Sequence, residues 1–233
     1  RTRRPAALLR GLHRNKPFLR LILAWLLNGL ANGLAAALFP LYLQHRLAAD
    51  AGTQGLLIFA YFATGVLAIP GWLWLSRRIG KSRTWCAAML LAILVFLFIP
   101  LIQPGDWMLF LAVCILTGMA LGADLSLPPA IQADVVDYDS WRFGRQRAGM
   151  LFALWNMATK LALALSVGIA FPLLDAFDFD ANGQNSSRAV FALVVIYALL
   201  PVVIKVLSVA LLWNYPLTHR RHAAIRRRLE RKA

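Results

Sequence analysis

Four residues between positions 155 and 160 have side chains suited to binding a polar solute within a membrane. Lys160 lies in the apolar run of residues 149–174, roughly 16 Å from its start at 1.5 Å per residue. A charge at that depth costs several kcal/mol unless it is paired or hydrated. Asn156 lies one helical turn earlier on the same face, and Thr159 and Trp155 flank it.

This spacing predicts a water-lined stripe with an aromatic platform, in which Lys160 marks a solute pathway. The alternative for the lysine is a pairing with a carboxylate that only fixes helix packing. For the asparagine and threonine the alternative is hydrogen bonding between helices. Asn28 and Asn32, also one turn apart in an apolar run, either line the same cavity or join helices.

Asp124 is the only acidic residue inside an apolar run. We expect it near the cytoplasmic boundary, either paired with Lys160 or Lys205 or capping a helix that breaks before Pro128. Gating or structural pairing is favoured over direct contact with a substrate. Lys205 lies close enough to the end of its run to extend its ammonium group to the surface.

The stretch of residues 133–147, ADVVDYDSWRFGRQR, places carboxylates and arginines between two apolar runs. Several exposed ion pairs together can bias two conformations, although each contributes only about 0–1 kcal/mol. We therefore predict a latch on the cytoplasmic side, and the alternative is a solvated loop that only fixes topology. The candidate latch residues, with Asp124, are Asp134, Asp137, Tyr138, Arg142, Arg145 and Arg147.

Six apolar runs must position these residues in a chain that is 60% apolar. Each is long enough to cross roughly 30 Å of hydrocarbon as a helix. The sequence thus predicts an all-α polytopic membrane protein with a basic segment at residues 1–17, a bundle at 18–213 and a basic tail at 214–233. The six runs span residues 18–43, 55–75, 84–102, 107–131, 149–174 and 189–213.

Positive charge alternates between the connections and predicts the orientation of the bundle. The basic connections are residues 1–17, 76–83, 134–147 and 214–233, and the intervening ones carry few lysines or arginines. Because basic connections stay in the cytoplasm, both termini are expected there. The tail is either an amphipathic helix on anionic lipid or, the favoured interpretation, a solvated segment. The net charge of +15 has this topological cause, and we expect no nucleic-acid partner.

Motifs of hydrolases, nucleotide-binding proteins and metalloenzymes do not occur in the sequence. The two cysteines, Cys86 and Cys114, lie inside apolar runs, where buried thiols are expected. We therefore predict neither an enzyme nor a metal site nor a bound cofactor. An intramembrane enzyme is the weakest alternative, because no catalytic set shares a common depth.

Three segments carry a family resemblance: ADVVDYDSWRFGRQRAGMLFALWNMATKLALAL, SRRIGKSR and NKPFLRL. They resemble the glycoside–pentoside–hexuronide:cation symporter family, the melibiose-carrier-like branch of the major facilitator superfamily. The match is to the C-terminal half of that family, helices seven to twelve. The resemblance implies two six-helix bundles around a central cavity and transport by alternating access, in a bacterial inner membrane.

The resemblance also implies roles for particular residues. Lys160 would couple cation and sugar occupancy, Asn156 would contact the sugar, and residues 134–138 would close the inner side. A coupling cation, Na⁺ or H⁺, would have its main site in the N-terminal half, supplied by the same reading frame or a partner chain. The alternatives are a truncated or split half that does not transport, an assembly subunit, and a carrier of a solute other than a sugar.

Overall fold

The computed structural model describes residues 12–144 and 147–230, without the side chains at positions 219, 220, 229 and 230. The described residues are helical with short connections and contain no strand. A π-helical turn at Tyr42–Arg46 extends the first helix, and 3-10 turns form at Leu12–Arg14 and Ile99–Leu101. The α-helices are α1 (Lys16–Leu41), α2 (Ala51–Ile79), α3 (Lys81–Phe98), α4 (Trp107–Phe143), α5 (Ala148–Asp175), α6 (Ser187–Trp213) and α7 (His219–Glu230).

Helices α1 to α6 are each long and apolar enough to cross a membrane. The expected fold, an all-α membrane protein with six transmembrane helices, is confirmed. Five of the six helices begin and end within four residues of the limits expected from the apolar runs. Internal prolines at positions 40, 70, 172 and 201 lie within their helices and do not end them.

Helix α4 is the exception, because it continues to Phe143, well beyond the end of its apolar run at residue 131. The expected loop at residues 134–147 is therefore wrong for its first part, and the helix does not break at Pro128. The extension is stabilised by burial of Val135 and Asp139 on its inner side. It ends where Gly144 adopts a left-handed conformation with φ 60°, which favours glycine. The length of the apolar run therefore reflects the thickness of the hydrocarbon layer, and the helix itself is longer than the run.

The packing of the six helices repeats after three. α1 packs against α5 and α6, α4 packs against α2 and α3, and α3 packs against α6. Advancing each helix by three positions exchanges α1–α5 with α4–α2 and α1–α6 with α4–α3, and it leaves α3–α6 unchanged. Helices α1 and α4 run in opposite directions. The bundle therefore consists of two inverted three-helix repeats.

Glycines at equivalent places in the two repeats allow the closest helix approaches. Gly29 and Gly33 of α1 face α5, where a Cβ added to Gly33 would collide with Ser166. Gly118 and Gly122 of α4 face α2, where an added Cβ would collide with the α2 backbone. Each pair has the spacing that lets membrane helices pack with their backbones in contact.

The connections lie alternately at two ends of the bundle. One end, called here the basic end, carries residues 12–15, Gly80, Gly144, Arg147 and residues 214–218. Contacts join these segments: the Asn15 side chain donates to Asp139, and the Tyr215 hydroxyl donates to the Pro17 carbonyl at 3.1 Å. Burial raises the pKa of the Tyr215 hydroxyl above its ordinary value. The start of α1 and the end of α6 are therefore at the same end.

The tail after α6 turns back and forms α7, which packs against the extension of α4. Ile225 of α7 is buried there, and the His222 ring bonds the Asp137 carboxylate at 2.9 Å. The expectation of a solvated tail is thus wrong for His219–Glu230. The acidic side chains of α4 explain this docking, because they provide a surface to which the basic helix α7 binds.

Candidate functional site

Five helices, α1, α2, α3, α4 and α6, line a cavity of about 230 Å³. Its walls are mostly alanine and aromatic side chains, and its charged groups are Asp124 and Lys205. The aromatic residues of the wall are Phe39, Tyr61, Phe62, Phe96 and Tyr197. We call this space the inner cavity.

Asp124 lies near the middle of α4 and is 8% exposed. Its Oδ1 accepts a hydrogen bond from Trp85 Nε1 at 2.6 Å, and its Oδ2 accepts one from Asn32 Nδ2 at 2.7 Å. Among the described side chains, no cation lies within ion-pair distance of this carboxylate. The expected direct pairing with Lys160 or Lys205 is wrong, and so is the expected helix cap before Pro128.

Lys205 on α6 is 5% exposed and also lines the inner cavity. Its ammonium group donates to Asn28 Oδ1 at 2.7 Å. The expectation that this lysine reaches the surface is therefore wrong. Asn28 is fully buried, and its Nδ2 has no hydrogen-bond partner in the described part of the chain.

The two asparagines predicted as a pair thus bind opposite charges. Asn28 holds Lys205 and Asn32 holds Asp124, one helical turn apart on α1. A carboxylate and an ammonium group in an apolar enclosure would attract each other strongly in direct contact. Here each charged group is instead bound by an asparagine of α1, and both line the inner cavity.

Three tryptophans adjoin this charge cluster. The rings of Trp25 and Trp155 stack with centroids 4.4 Å apart, and Trp85 lies at a tilt 6.2 Å from Trp25. Trp25 Nε1 donates to Thr159 Oγ1 at 2.8 Å, which ties α5 to α1. Trp155 is only 7% exposed, so Trp25 occupies the ring face that was expected to serve as a platform.

The structure divides the predicted stripe on α5 into two groups. Trp155 and Thr159 face α1, whereas Asn156 and Lys160 are exposed on the outside of the bundle. In the described part of the chain, neither Asn156 nor Lys160 has a hydrogen bond or an ion pair. Nothing within the bundle therefore compensates the charge of Lys160 at mid-helix.

Ion pairs at the basic end connect elements rather than residues of one loop. Lys81 binds both oxygens of Asp134 at 2.7 Å, joining α3 to α4. His222 lies 3.5 Å from Asp134 and 2.9 Å from Asp137, which joins α7 to α4. These two carboxylates of the predicted latch thus take partners from α3 and α7.

Asp139 and Arg147 form the most buried ion pair at the basic end. The guanidinium of Arg147 donates to both carboxylate oxygens, with Nε at 2.6 Å and Nη2 at 2.8 Å, and Asn15 Nδ2 donates at 2.8 Å. Their side chains are 1% and 0% exposed. Of the other predicted latch residues, Tyr138 packs beside Trp141, Arg142 is exposed, and Arg145 lies outside the described residues.

Sequence reasoning missed three residues. Trp85 and His222 bind the carboxylates of Asp124 and Asp137, and Asp139 binds the guanidinium of Arg147. Trp85 is the second residue of the apolar run 84–102, a place where an aromatic side chain is typical of the membrane interface. Asp139 follows Val135 by one helical turn, a spacing that indicates a helix. Helices predicted from apolar runs alone, however, end where a charged segment begins. Groups of His, Cys, Asp or Glu able to hold a metal ion do not occur among the described residues.

Comparison with known proteins places the chain in a transporter family. The family described as MFS/sugar transport protein matches residues 6–219. The resemblance to the glycoside–pentoside–hexuronide:cation symporters is thereby confirmed.

Three similar proteins are named for different solutes. The human sodium-dependent lysophosphatidylcholine symporter 1 is 26% identical over 97% of this chain and 42% of its own length. The Escherichia coli glucuronide carrier protein homolog is 23% identical over 93% of this chain and 48% of its own. The isoprimeverose transporter of Lactiplantibacillus pentosus is 28% identical over 56% of this chain and 27% of its own. The chain thus spans about half the length, or less, of these relatives.

Proposed function

Because this chain belongs to the MFS/sugar transport protein family, we propose that it is the C-terminal half of a secondary active transporter. A second six-helix bundle, from the same reading frame or a partner chain, would face it across a central cavity. Alternating access would then expose the solute to one side of the membrane at a time. The transporter is not an enzyme, since the family and its named relatives are carriers.

The exposed position of Lys160 supports this proposal most directly. An ammonium group at mid-helix on an outer face costs several kcal/mol against lipid. A water-filled cavity between two bundles removes that cost. Asn156, exposed one turn away, would line the same cavity, so α5 would present a charge and an amide to the solute.

The proposed solute is a sugar or glycoside moved together with Na⁺ or H⁺. The support is the family description and the names of two relatives, which refer to a glucuronide and to isoprimeverose. Asn156 would contact the sugar and Lys160 would link its occupancy to that of the cation, whose main site would lie in the other half. The ion pairs of Asp134 and Asp137 would close the basic end when the cavity opens to the opposite side.

Orientation and location are part of the same proposal. The basic end would face the cytoplasm of a bacterial cell, with both ends of the chain on that side of the inner membrane. Attachment of a reporter domain after α7 tests this: activity only of a cytoplasmic reporter is expected. Activity of a periplasmic reporter at that position would overturn the orientation.

Proteoliposome uptake tests transport. The full-length protein is reconstituted, and sugars and glycosides are offered with an imposed sodium or proton gradient. We expect accumulation of one class of sugar driven by one of the gradients, and a loss of at least about tenfold in Lys160→Ala. Unchanged accumulation in that variant would overturn the coupling role of Lys160. If no solute accumulates although the protein is folded, a non-transporting half or assembly subunit is the better explanation.

The inner cavity favours a second candidate solute, an amphipathic molecule. Each sugar hydroxyl buried without a partner costs about 1–3 kcal/mol, and most of this wall is alanine or aromatic carbon. A solute with an apolar part would fill the cavity and direct its polar group toward Asn32, Asp124 and Lys205. One relative is named for lysophosphatidylcholine, so a lysophospholipid belongs in the uptake panel. Accumulation of the lysophospholipid, with no accumulation of any sugar, would support the amphipathic solute over the sugar.

A further inference from the structure

A second cleft lies at the basic end, far from the inner cavity. It is enclosed by the start of α1, the end of α4 and the helix α7, and has a volume of about 380 Å³. Four cations line it: Arg14 and Lys16 from one side, Arg221 and Arg228 from the other. Of the described side chains that line this cleft, none is acidic. We call it the basic cleft.

The remaining walls of the basic cleft are apolar or aromatic. Tyr138 and Trp141 project from α4, and Leu217 and Ile225 are almost fully buried at its base. The guanidinium of Arg228 lies over the Trp141 ring, 5.9 Å from its centroid. Both rings lie in the extension of α4 beyond its apolar run, on the headgroup side of the hydrocarbon, where tryptophan and tyrosine are enriched.

The depth of the basic cleft follows from the helices that form it. Its wall includes Lys16 and Pro17 at the first turn of α1, and residues 216–217 directly after α6. The cleft therefore lies where two membrane-spanning helices reach the bilayer surface. A ligand bound there could keep an apolar part in the hydrocarbon and a charged part between the cations.

A neighbouring cleft offers an internal comparison. It is lined by Arg77, Arg78, Lys81 and Arg83, but also by Asp134, which binds the ammonium group of Lys81. In the basic cleft, by contrast, none of the four cations has a carboxylate within ion-pair distance among the described side chains. The positive charge of the basic cleft is thus uncompensated by the part of the protein that the structure describes.

We propose that the basic cleft is a binding site for the phosphate group of an anionic phospholipid. The phosphate lies between the Arg14–Lys16 pair and the Arg221–Arg228 pair, where guanidinium groups can bind it bidentately. The glycerol backbone contacts Tyr138 and Trp141, and the acyl chains extend into the bilayer beside α1 and α4. Lipid binding would join α7 to α1 at the basic end.

The first test counts bound lipids by native mass spectrometry. Full-length protein is equilibrated with phosphatidylglycerol in a phosphatidylcholine background. Juxtamembrane cations each contribute about fivefold to binding of an anionic lipid. The double variant Arg14→Gln/Arg228→Gln is therefore expected to bind phosphatidylglycerol about 25-fold more weakly, with an unchanged melting temperature. The matched control Arg77→Gln/Arg83→Gln removes the same charge at the same end and should bind as the wild type does.

Three results would overturn the proposal. Equal losses in both double variants would mean that general surface charge attracts the lipid. Equal binding of phosphatidylcholine and phosphatidylglycerol would mean that the phosphate charge is not recognised. Displacement of the lipid by millimolar inorganic phosphate would identify a free anion as the ligand instead.

A second measurement does not depend on charge variants. Brominated acyl chains quench nearby tryptophan fluorescence, and the Trp141 contribution is the difference between wild type and Trp141→Phe. Brominated phosphatidylglycerol is expected to quench this difference signal at least about twofold more than brominated phosphatidylcholine does. Equal quenching by the two lipids would mean that no lipid-selective site lies beside Trp141, which contradicts the proposal. This result can be read even if a charge variant fails to fold.

Discussion

Two kinds of charge occur at membrane depth in this chain, and they differ in what surrounds them. Asp124 and Lys205 are buried inside the bundle, and each has a hydrogen-bond partner on α1. Lys160 is exposed on α5 and has no partner in the described residues. The buried charges are satisfied by this chain alone, whereas Lys160 requires surroundings that the chain does not provide.

This difference separates residues that hold the half-bundle together from residues that act between two halves. Buried, partnered charges should affect the stability of the bundle when they are removed. An exposed, unpartnered lysine should affect transport and leave stability nearly unchanged. Each of the following substitutions tests one side of that separation.

The largest loss is expected for Asp139→Ala at the basic end. It leaves the buried Arg147 guanidinium and the Asn15 amide without their carboxylate, which should lower the free energy of unfolding by about 4 kcal/mol. Thermal unfolding in detergent measures this. The control Asp137→Ala removes a carboxylate that is 43% exposed and should cost less than about 1 kcal/mol. Similar small losses in both variants would contradict the importance of burial.

Trp155→Ala should follow, with a loss of about 3 kcal/mol in the same unfolding experiment. The substitution removes the ring that stacks on Trp25 and leaves a cavity between α1 and α5. Its neighbour Asn156, on the exposed face, is the control, and Asn156→Ala should change stability by no more than about 0.5 kcal/mol. The division of the α5 stripe into an inner and an outer group would fail if Asn156→Ala destabilised the protein as much.

Asp124→Ala is expected to cost about 2 kcal/mol. The side-chain N–H groups of Trp85 and Asn32 lose their acceptor, and a buried donor left unsatisfied costs about 1–3 kcal/mol. Asp124→Asn keeps one acceptor oxygen and should lose less. Should both variants be as stable as the wild type, the carboxylate would have no structural role in the bundle.

Lys160→Ala should have the smallest effect on stability, within about 0.5 kcal/mol of the wild type. Lys205→Ala is the matched control, because it removes the same side chain from a buried position and leaves Asn28 unpartnered. A large loss of stability in Lys160→Ala would show that this lysine packs within the half-bundle and does not act between two halves.

Sequence alone distinguishes these two lysines poorly. Both lie in apolar runs, and the expectations for Lys205 and for its pairing with Asp124 were wrong. The buried face of a helix is determined by the helices that pack against it. In a run where most residues are apolar, the buried and the exposed faces do not differ in polarity, so the sequence does not distinguish them. The one-turn spacing of Asn28 and Asn32 did signal a shared role, but not that they bind opposite charges.

The fold was largely predictable, because hydrocarbon thickness and charge alternation act on each segment separately. Six helices and their alternating ends follow from local composition. The extension of α4 and the docking of α7 do not, since both depend on ion pairs between distant segments, such as His222 with Asp137. The roles assigned to Lys160 and Asn156 stay predictions.

Thiol labelling tests most directly whether Lys160 faces a water-filled cavity. The native cysteines, Cys86 and Cys114, are buried, so a single Lys160→Cys substitution in the full-length protein supplies the reactive thiol. A membrane-impermeant maleimide should label it in intact membranes, while Leu161→Cys, on an adjacent exposed face, should remain unlabelled. If Lys160→Cys resists labelling from either side of the membrane as Leu161→Cys does, position 160 faces lipid and the account of a second half across a cavity is contradicted.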